Sequence, residues 1–183
     1  MKNKILLLST AVLASFLLSG CGIKTNEYNV SADNVQTLRD YKALKLDVAD
    51  FTATNQGESS VMCRLAETVS TPKGEPFSEY IKEALVSELK MAGVYDKNSD
   101  LKISGNLNKI YGSTMYGNAY WELNVTISSS NGKSITVNTK RDYPSSYLAS
   151  TACNNMGTSF SPTIKQLIAE ILNHRDFSEL LRK

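Results

Sequence analysis

The chain has 183 residues, 42% hydrophobic and 21% charged, a length and balance typical of one globular domain. Its formal charge is +2, but Lys2 and Lys4 belong to an N-terminal signal that we expect to be removed. Taking them from the 20 basic residues leaves 18, equal to the 18 acidic residues. A neutral domain lacks the clustered cations that nucleic-acid binding needs, and a mean hydropathy of −0.24 argues against a protein with several membrane spans.

The N-terminal residues have the layout of an export signal. Met1–Lys4 is short and positive, and a largely apolar stretch from Ile5 to Leu18 follows it. This stretch is shorter than the ~20 apolar residues that a membrane-spanning helix needs. The sequence therefore predicts that residues 1–20 are a cleaved signal peptide.

The end of this signal reads Leu18-Ser19-Gly20-Cys21 and resembles the lipobox of bacterial lipoproteins. In that family the cysteine thiol takes a diacylglyceryl group, the signal is cut just before it, and the new amine is acylated. The resemblance implies that Cys21 is the lipid-bearing first residue of the mature protein. Gly22 stands where inner-membrane lipoproteins often have Asp, which implies the outer membrane of a Gram-negative cell, facing the periplasm. The alternative is a plain secretory signal with Cys21 near the cut by chance.

Residues 21–40 are polar and have little apolar periodicity. We expect them to be the lipid anchor and a flexible tether, with a short helical turn near Asp33–Leu38. A single periplasmic domain is then predicted over residues 41–183.

The apolar pattern after residue 40 begins with strands. Alternation of polar and apolar residues predicts a half-buried strand over 41–52, through Leu44, Lys45, Leu46, Asp47 and Val48. Val61–Thr68, which carries Cys63, is predicted as a second, short strand.

Residues 76–92 form the clearest predicted helix. Pro76 suits a first helical position, and Gly93 suits a terminator. The apolar stripe follows helical spacing and consists of Phe77, Tyr80, Ile81, Ala84, Leu85 and Ala92. Glu88 interrupts this stripe, and we expect it to lie at its edge.

Three strands are predicted after this helix, over Leu101–Leu107, Tyr120–Ile127 and Ile135–Thr139. A loop over Gly112–Gly117 separates the first two, and Asn131-Gly132 is the pair favoured in type I′ hairpin turns. We expect an antiparallel meander with one apolar face that includes Trp121.

The last segment is predicted to be helical from Thr151 to His174. Its apolar stripe consists of Phe160, Ile164, Leu167, Ile168, Ile171 and Leu172. Pro162 is expected to kink this helix or to start its main part with Ser161 as the cap. A short amphipathic tail, Phe177–Leu181, ends the chain.

The order strand, helix, three strands, helix predicts an α+β two-layer sandwich, in which two amphipathic helices cover one face of an antiparallel sheet of about four strands. The Phe77–Gly93 helix, the segment Leu101-Lys102-Ile103-Ser104-Gly105 and the Ser-Asn-Gly-Lys-Ser hairpin resemble the YajG-type periplasmic lipoproteins. More loosely, they are similar to the small α+β domains of LptE, CsgG and the amino-terminal part of TolB. The resemblance implies an anchored accessory or assembly protein.

Cys63 and Cys153 are an even pair once Cys21 is set aside, and the predicted compartment is oxidising. We predict a disulfide between them, which the chain-entropy model credits with at most ~4–5 kcal/mol. The alternative is two separate buried thiols.

The chain offers few groups for chemistry. Gly132-Lys133-Ser134 resembles the end of a phosphate-binding loop, but Ile127 stands where that motif needs its first glycine. A single histidine, His174, and two dispersed cysteines give no metal-ligand spacing. We therefore expect no enzyme, no cofactor and no metal.

Three tyrosines near the predicted Gly112–Gly117 loop are candidate contact residues: Tyr111, Tyr116 and Tyr120. We expect Tyr143 and Tyr147 to extend the same surface. The first hypothesis is a lipid-anchored, non-enzymatic accessory protein that binds a protein partner or an envelope component through its sheet. The alternative is a small-ligand or glycan-binding module for which peptidoglycan is the candidate ligand. Ordinary cross-strand packing also explains these tyrosines.

Overall fold

The structure, a computed structural model, describes residues 22–65 and 67–182. The predicted signal peptide and Cys21 therefore lie outside the described residues. In chain order, the elements are β1 (Ile23–Lys24), α1 (Ala32–Arg39), β2 (Asp47–Ala53), β3 (Ser60–Cys63), β4 (Glu67–Ser70), α2 (Phe77–Ala92), β5 (Lys102–Met115), β6 (Asn118–Ser129), β7 (Ser134–Asp142), α3 (Ala149–Leu172) and α4 (Phe177–Leu180).

The larger sheet has four strands in the order β2-β5-β6-β7. Strands β5, β6 and β7 form the predicted antiparallel meander. Strand β2, however, pairs with β5 in parallel, so the expectation of an entirely antiparallel sheet is wrong for this pair. A parallel neighbour requires a crossover connection, and the chain between β2 and β5, which contains α2, provides it.

Helices α2 and α3 pack on one face of this sheet, which we name the inner face. The predicted α+β sandwich of one sheet and two amphipathic helices is confirmed. At its centre Trp121 is fully buried and its Nε1 donates a hydrogen bond to the Met156 carbonyl at 2.9 Å. The Phe160 ring lies 5.0 Å from the Trp121 ring, centre to centre, and 5.2 Å from the Phe77 ring. This aromatic cluster joins both helices to the sheet.

Helix α2 begins and ends where its sequence predicts. Pro76 is its N-cap, and Gly93 is its C-cap with a left-handed φ of 76°. The exception is Glu88, which is fully buried rather than at the edge of the stripe. Glu88 can be buried because the N-terminal segment supplies hydrogen-bond donors to its carboxylate.

That N-terminal segment is the main correction to the predicted organisation. Residues 23–39 were expected to belong to a tether, but they form β1 and α1 and pack on the domain. Val35 and Leu38 of α1 are buried. Glu88 Oε1 accepts a hydrogen bond from the Ser31 amide at 2.8 Å and another from the Tyr28 hydroxyl. Within the described residues, the folded unit therefore includes the chain from Ile23 onwards.

A second, smaller sheet has the order β1-β4-β3. Residues 61–68 were expected to form one strand, but they turn back on themselves as the β3–β4 hairpin. Arg64 and Leu65 at its turn have left-handed φ values of 48° and 59°. Two successive residues in this conformation end the extended chain, which explains why the single strand does not form.

Helix α3 runs without a break through Pro162, so the expectation that Pro162 begins its main part with Ser161 as a cap is wrong. Around the proline, hydroxyl groups donate to helix carbonyls: Ser159 Oγ to Met156 O at 2.9 Å and Thr163 Oγ1 to Ser159 O at 2.8 Å.

Within residues 22–65 and 67–182, no helix is both long enough and apolar enough to cross a membrane.

Candidate functional site

The face of the larger sheet opposite α2 and α3, the outer face, is built of polar residues. Cross-strand neighbours on β5, β6 and β7 form successive rows. From the start of β5 these rows are Ser104–Ser128–Ser134, Asn106–Thr126–Thr136, Lys109–Asn124–Asn138 and Tyr111–Glu122–Lys140. In these rows no aliphatic side chain occurs, so this face presents hydrogen-bonding groups and aromatic rings and no apolar patch.

Amide and hydroxyl groups on the outer face bond to one another across the strands. Asn108 lies at a β-bulge and donates to Thr126 Oγ1 at 2.8 Å and to Asn124 Oδ1. Asn124 in turn donates to Asn138 Oδ1. We name this set of side chains, with Asn106, the amide ladder. Its members fix one another's orientation, so a ligand meets ordered donors and acceptors.

The outer face ends in a pair of tyrosines flanked by lysines. The Tyr111 and Tyr120 rings are 5.9 Å apart between centroids. Lys140 Nζ lies 4.0 Å from the Tyr120 ring centre, and Lys109 pairs with Glu122 at 2.8 Å. Lys109 Nζ lies 5.9 Å from the centre of the Tyr111 ring, which is exposed, so each tyrosine of this aromatic platform has a positive charge beside it.

A different surface forms where three connections meet at the end of β5. These connections are the β3–β4 turn, the β5–β6 hairpin and the chain between β7 and α3. Their exposed apolar residues define the tip surface, which consists of Met62, Leu65, Met115, Tyr116, Tyr147 and Leu148. An open groove of about 630 Å³ lies between the β3–β4 turn and the end of β5.

Arg64 holds these three connections together. Its guanidinium donates to the Thr114 carbonyl and the Tyr147 carbonyl, each at 2.8 Å, and to the Ser146 carbonyl. The predicted disulfide between Cys63 and Cys153 is present beside it, with Cα atoms 5.8 Å apart. The disulfide joins the β3–β4 hairpin to α3, so the two residues before Leu65, Cys63 and Arg64, are both fixed to other parts of the domain.

Aromatic contacts order the rest of the tip. The Tyr116 and Tyr147 rings stack with centroids 3.6 Å apart, and the Gly117 amide donates to Ser145 Oγ at 2.9 Å. The Tyr143 hydroxyl donates to the Ser113 carbonyl at 2.7 Å. Burial is the main cause that raises the pKa of the Tyr143 phenol, so this hydroxyl stays protonated and keeps its bond over the physiological range.

The structure divides the three predicted contact tyrosines between two surfaces. Tyr111 and Tyr120 lie together on the outer face, and Tyr116 lies on the tip surface with Tyr147. Tyr111 also lines the groove beside the tip surface. The segment 112–117 is also not a loop, because Gly112 lies within β5 and only the turn at Tyr116–Gly117 separates the strands. A Cβ on Gly112 would lie 2.1 Å from Met156 Cε, so this glycine permits close packing of α3.

Met62, Leu65 and Arg64 were not predicted as site residues. The pattern of residues 61–68 fits one strand, and it does not indicate the turn at Arg64 and Leu65 that brings these side chains together. The amide ladder was also not predicted, although the alternation of Asn and Thr with apolar residues on β6 was a visible signal.

The groups considered for chemistry remain apart. His174 Nδ1 accepts a hydrogen bond from the Asp176 amide at 3.2 Å, within the α3–α4 connection. Among residues 22–65 and 67–182, no cluster of three or more His, Cys, Asp or Glu side chains has the geometry to hold a metal ion. Cys63 and Cys153 are both buried in their disulfide.

Comparison with known proteins gives little further information. No protein-family model matches the chain, and no curated protein matches it. Among solved structures, the chain is similar to a Xanthomonas campestris protein described as a member of the family DUF330. The two are 17% identical over 82% of this chain and 90% of the other, with a TM-score of 0.47.

Proposed function

We propose that the protein is a lipid-anchored, non-enzymatic accessory protein of the cell envelope, which binds a protein partner or an envelope component through its outer face. The observation that carries the binding role is the outer face itself. It combines ordered hydrogen-bonding groups with the Tyr111–Tyr120 pair, and no aliphatic residue contributes to its rows. Tyrosine is enriched among the residues that dominate binding energy at protein interfaces.

The anchor rests on the lipobox residues Leu18-Ser19-Gly20-Cys21. Several acyl chains, at ~0.8 kcal/mol for each buried methylene, would hold the protein on a membrane essentially permanently. The absence of Asp at position 22 favours the outer membrane, facing the periplasm. A membrane-bound domain searches a small volume, which raises the effective concentration of a partner in the same envelope.

The anchor is tested by the Cys21→Ser variant. We expect it to accumulate as an uncleaved or soluble form without acyl mass, since the thiol that accepts the lipid is gone. An acylated protein of unchanged mature mass in that variant would exclude Cys21 as the lipid site.

The binding role is tested by photo-crosslinking in whole cells with the full-length protein. A photoreactive residue at Tyr111 on the outer face is compared with one at Met91, an exposed residue of α2. We expect an adduct with a specific envelope protein or polymer from position 111 alone. The same adducts from both positions, or none from either, would contradict docking through the outer face.

A second candidate is a glycan-binding module, and the composition of the outer face favours it specifically. Sugar rings stack on aromatic platforms, and their hydroxyls pair with amide side chains such as those of the amide ladder. Titration of the protein with soluble peptidoglycan fragments, followed by calorimetry, tests this candidate. We expect binding to be lost in the triple variant Tyr111→Ala, Tyr116→Ala and Tyr120→Ala if glycans bind there. Retained binding in that variant would exclude the tyrosines as the glycan site.

A further inference from the structure

Exposed apolar side chains are concentrated at one end of the molecule. Of the eight large hydrophobic residues that are exposed among those described, six form the tip surface. A seventh, Tyr111, lines the adjoining groove, and the eighth, Met91, lies on α2. Leu65 is 93% exposed at the head of a turn, without apolar cover in the described chain. Exposed apolar residues gathered in one place mark an interaction surface.

The N-terminal end of the folded unit lies beside this surface. Strand β1 runs parallel to β4, with Ile23 opposite Val69. One residue earlier, Gly22 is so close to Thr68 that a Cβ on the glycine would lie 2.7 Å from Thr68 Oγ1. Following the chain backwards therefore leads along β4 towards the β3–β4 turn, which carries Leu65.

Covalent geometry limits how far the proposed anchor can be from the tip surface. Cys21 precedes Gly22 directly, and consecutive Cα atoms are about 3.8 Å apart. Thr68 is three residues from Leu65, which spans at most about 10 Å of extended chain. An acylated Cys21 would thus hold the β3–β4 turn within a short distance of the membrane.

We propose that the tip surface inserts into the interface of the bilayer that carries the lipid of Cys21. This inference rests on the proposed lipid anchor. Leu65, Met115 and Leu148 then contact the acyl region, and Tyr116 and Tyr147 lie at headgroup level, where tyrosine is enriched in membrane proteins. The lipid and the tip surface together give two attachments, so the domain has a fixed orientation on the membrane.

The backbone of the tip suits a partly dehydrated environment. Carbonyl groups in a bilayer interface need internal partners because less water is available to them. Arg64 satisfies three such carbonyls, at Thr114, Ser146 and Tyr147. The same bonds and the neighbouring disulfide keep Leu65 projecting, although its left-handed backbone is an unfavourable conformation for leucine.

Tryptophan reporters test this orientation in the mature, acylated protein. The protein is placed in vesicles of phosphatidylethanolamine and phosphatidylglycerol, with or without bromine on the acyl chains. Leu65→Trp and Leu148→Trp report on the tip surface, and Met91→Trp is the matched control. Met91 is also exposed and lies at the end of α2, just before Val94. Backbone bonds from Leu46 to Val94 and from Asp47 to Leu101 place this end of α2 beside the start of β5, and the tip surface is at the other end of that strand, which is about 45 Å long. The native Trp121 is buried and contributes background fluorescence, which is measured with the unsubstituted protein and subtracted.

We expect brominated lipid to quench the added tryptophan at positions 65 and 148 several-fold more than at position 91, with a blue-shifted emission at the first two. Equal quenching at the three positions in a protein that is acylated and vesicle-bound would overturn the inserted tip and leave the anchor intact. A protein without acyl mass, which does not bind the vesicles, would overturn both.

Photo-crosslinking at position 65 in cells distinguishes other occupants of the tip. Lipid adducts support insertion. Adducts with a protein, or with a second copy of this chain, would show that a polypeptide covers the tip surface and would overturn the proposal.

Discussion

The two faces of the larger sheet carry opposite kinds of side chain, although the same strands build both. On the inner face β6 presents a fully buried apolar set, Trp121, Leu123, Val125 and Ile127. Its alternate residues, on the outer face, are Tyr120, Glu122, Asn124 and Thr126. The inner residues remove apolar surface from water, whereas the outer residues bond to one another and remain partly hydrated.

Under the proposed function, stability and binding belong to separate faces. Substitutions on the inner face and in the helix layer should change the free energy of unfolding. Substitutions on the outer face should leave it nearly unchanged and act on a partner instead. The separation allows binding residues to vary without loss of the fold.

The largest expected loss of stability follows from Phe160→Ala. Phe160 is fully buried and its ring contacts Phe77, Tyr80 and Trp121. Removal of the ring leaves a cavity between both helices and the sheet, so we expect unfolding in urea to lose about 3–5 kcal/mol. Tyr120→Ala on the outer face is the matched aromatic control, with an expected loss below about 1 kcal/mol. Equal losses in the two variants would remove the distinction between the faces.

The disulfide should contribute the next largest effect. Cys63 and Cys153 are 90 residues apart in sequence, and the double variant Cys63→Ala, Cys153→Ala frees a long loop in the unfolded chain. We expect a loss of about 2–4 kcal/mol, below the chain-entropy limit, because the unfolded chain retains some structure.

The bond itself is checked by intact mass before and after reduction, which should differ by two hydrogens. Alkylation of both thiols in the folded, unreduced protein would show that the disulfide is absent in solution. If the double variant unfolds at the same urea concentration as the native protein, the bond is not a constraint on folding.

Glu88 is a polar exception within the helix layer, and its replacement should have a smaller, localised effect. Glu88→Ala removes the acceptor of the Ser31 amide and the Tyr28 hydroxyl. Loss of a buried acceptor leaves such donors without a partner, so we expect a loss of about 1–3 kcal/mol. Glu83→Ala, an exposed acid on the same helix, is the control.

Hydrogen exchange locates the effect of Glu88→Ala. Amides of residues 23–39 should exchange faster in this variant, while those of β6 should keep their protection. Uniformly faster exchange across the whole domain would show that Glu88 supports the entire core and not the N-terminal segment alone.

Much of the fold follows from local sequence patterns. The stripe of α2, its stop at Gly93 and the alternation on β6 were sufficient to predict the helices, the meander and the sandwich. The parallel pairing of β2 with β5 was not predictable in the same way. The pairing depends on where the crossover through α2 brings the chain back to the sheet. The residues of β2 have the same alternation in a parallel and in an antiparallel strand, so they do not indicate the direction of the neighbour.

The N-terminal segment was missed because it has few apolar residues. Only Val35 and Leu38 of α1 are buried hydrophobic residues, and polar bonds to Glu88 complete the docking. An acid in the middle of an apolar stripe was the available signal, since a buried carboxylate requires donors from elsewhere. The disulfide was predictable from cysteine count, whereas the tip surface depends on a turn that the pattern of residues 61–68 did not indicate.

Alkaline pH should weaken the fold through three tyrosines that are withdrawn from water, Tyr28, Tyr80 and Tyr143. Burial raises the pKa of Tyr80 to about 12 and raises the pKa values of Tyr28 and Tyr143 further. Each group therefore contributes stability that is fully present below the unfolded pKa near 10 and is lost as the pH rises towards the folded pKa. We expect about 1 kcal/mol or less for each tyrosine between pH 9 and pH 11, measured by urea unfolding. Tyr80→Phe should reduce this pH dependence, and an unchanged slope would contradict the role of its ionisation.

The smallest expected effect is that of Asn124→Ala in the amide ladder. Asn124 accepts from Asn108 and donates to Asn138, yet Asn138 is exposed and the other two side chains are only half-buried, so water can replace a lost partner. We therefore expect a change of at most about 0.5 kcal/mol in the free energy of unfolding. A double-mutant cycle with Asn138→Ala measures the coupling between the two amides directly. A coupling well above 1 kcal/mol would mean that the ladder stabilises the sheet, and its order would then need no ligand to explain it. A coupling near zero would leave an ordered row of amides that the fold does not require, which is the property expected of a surface that binds a partner.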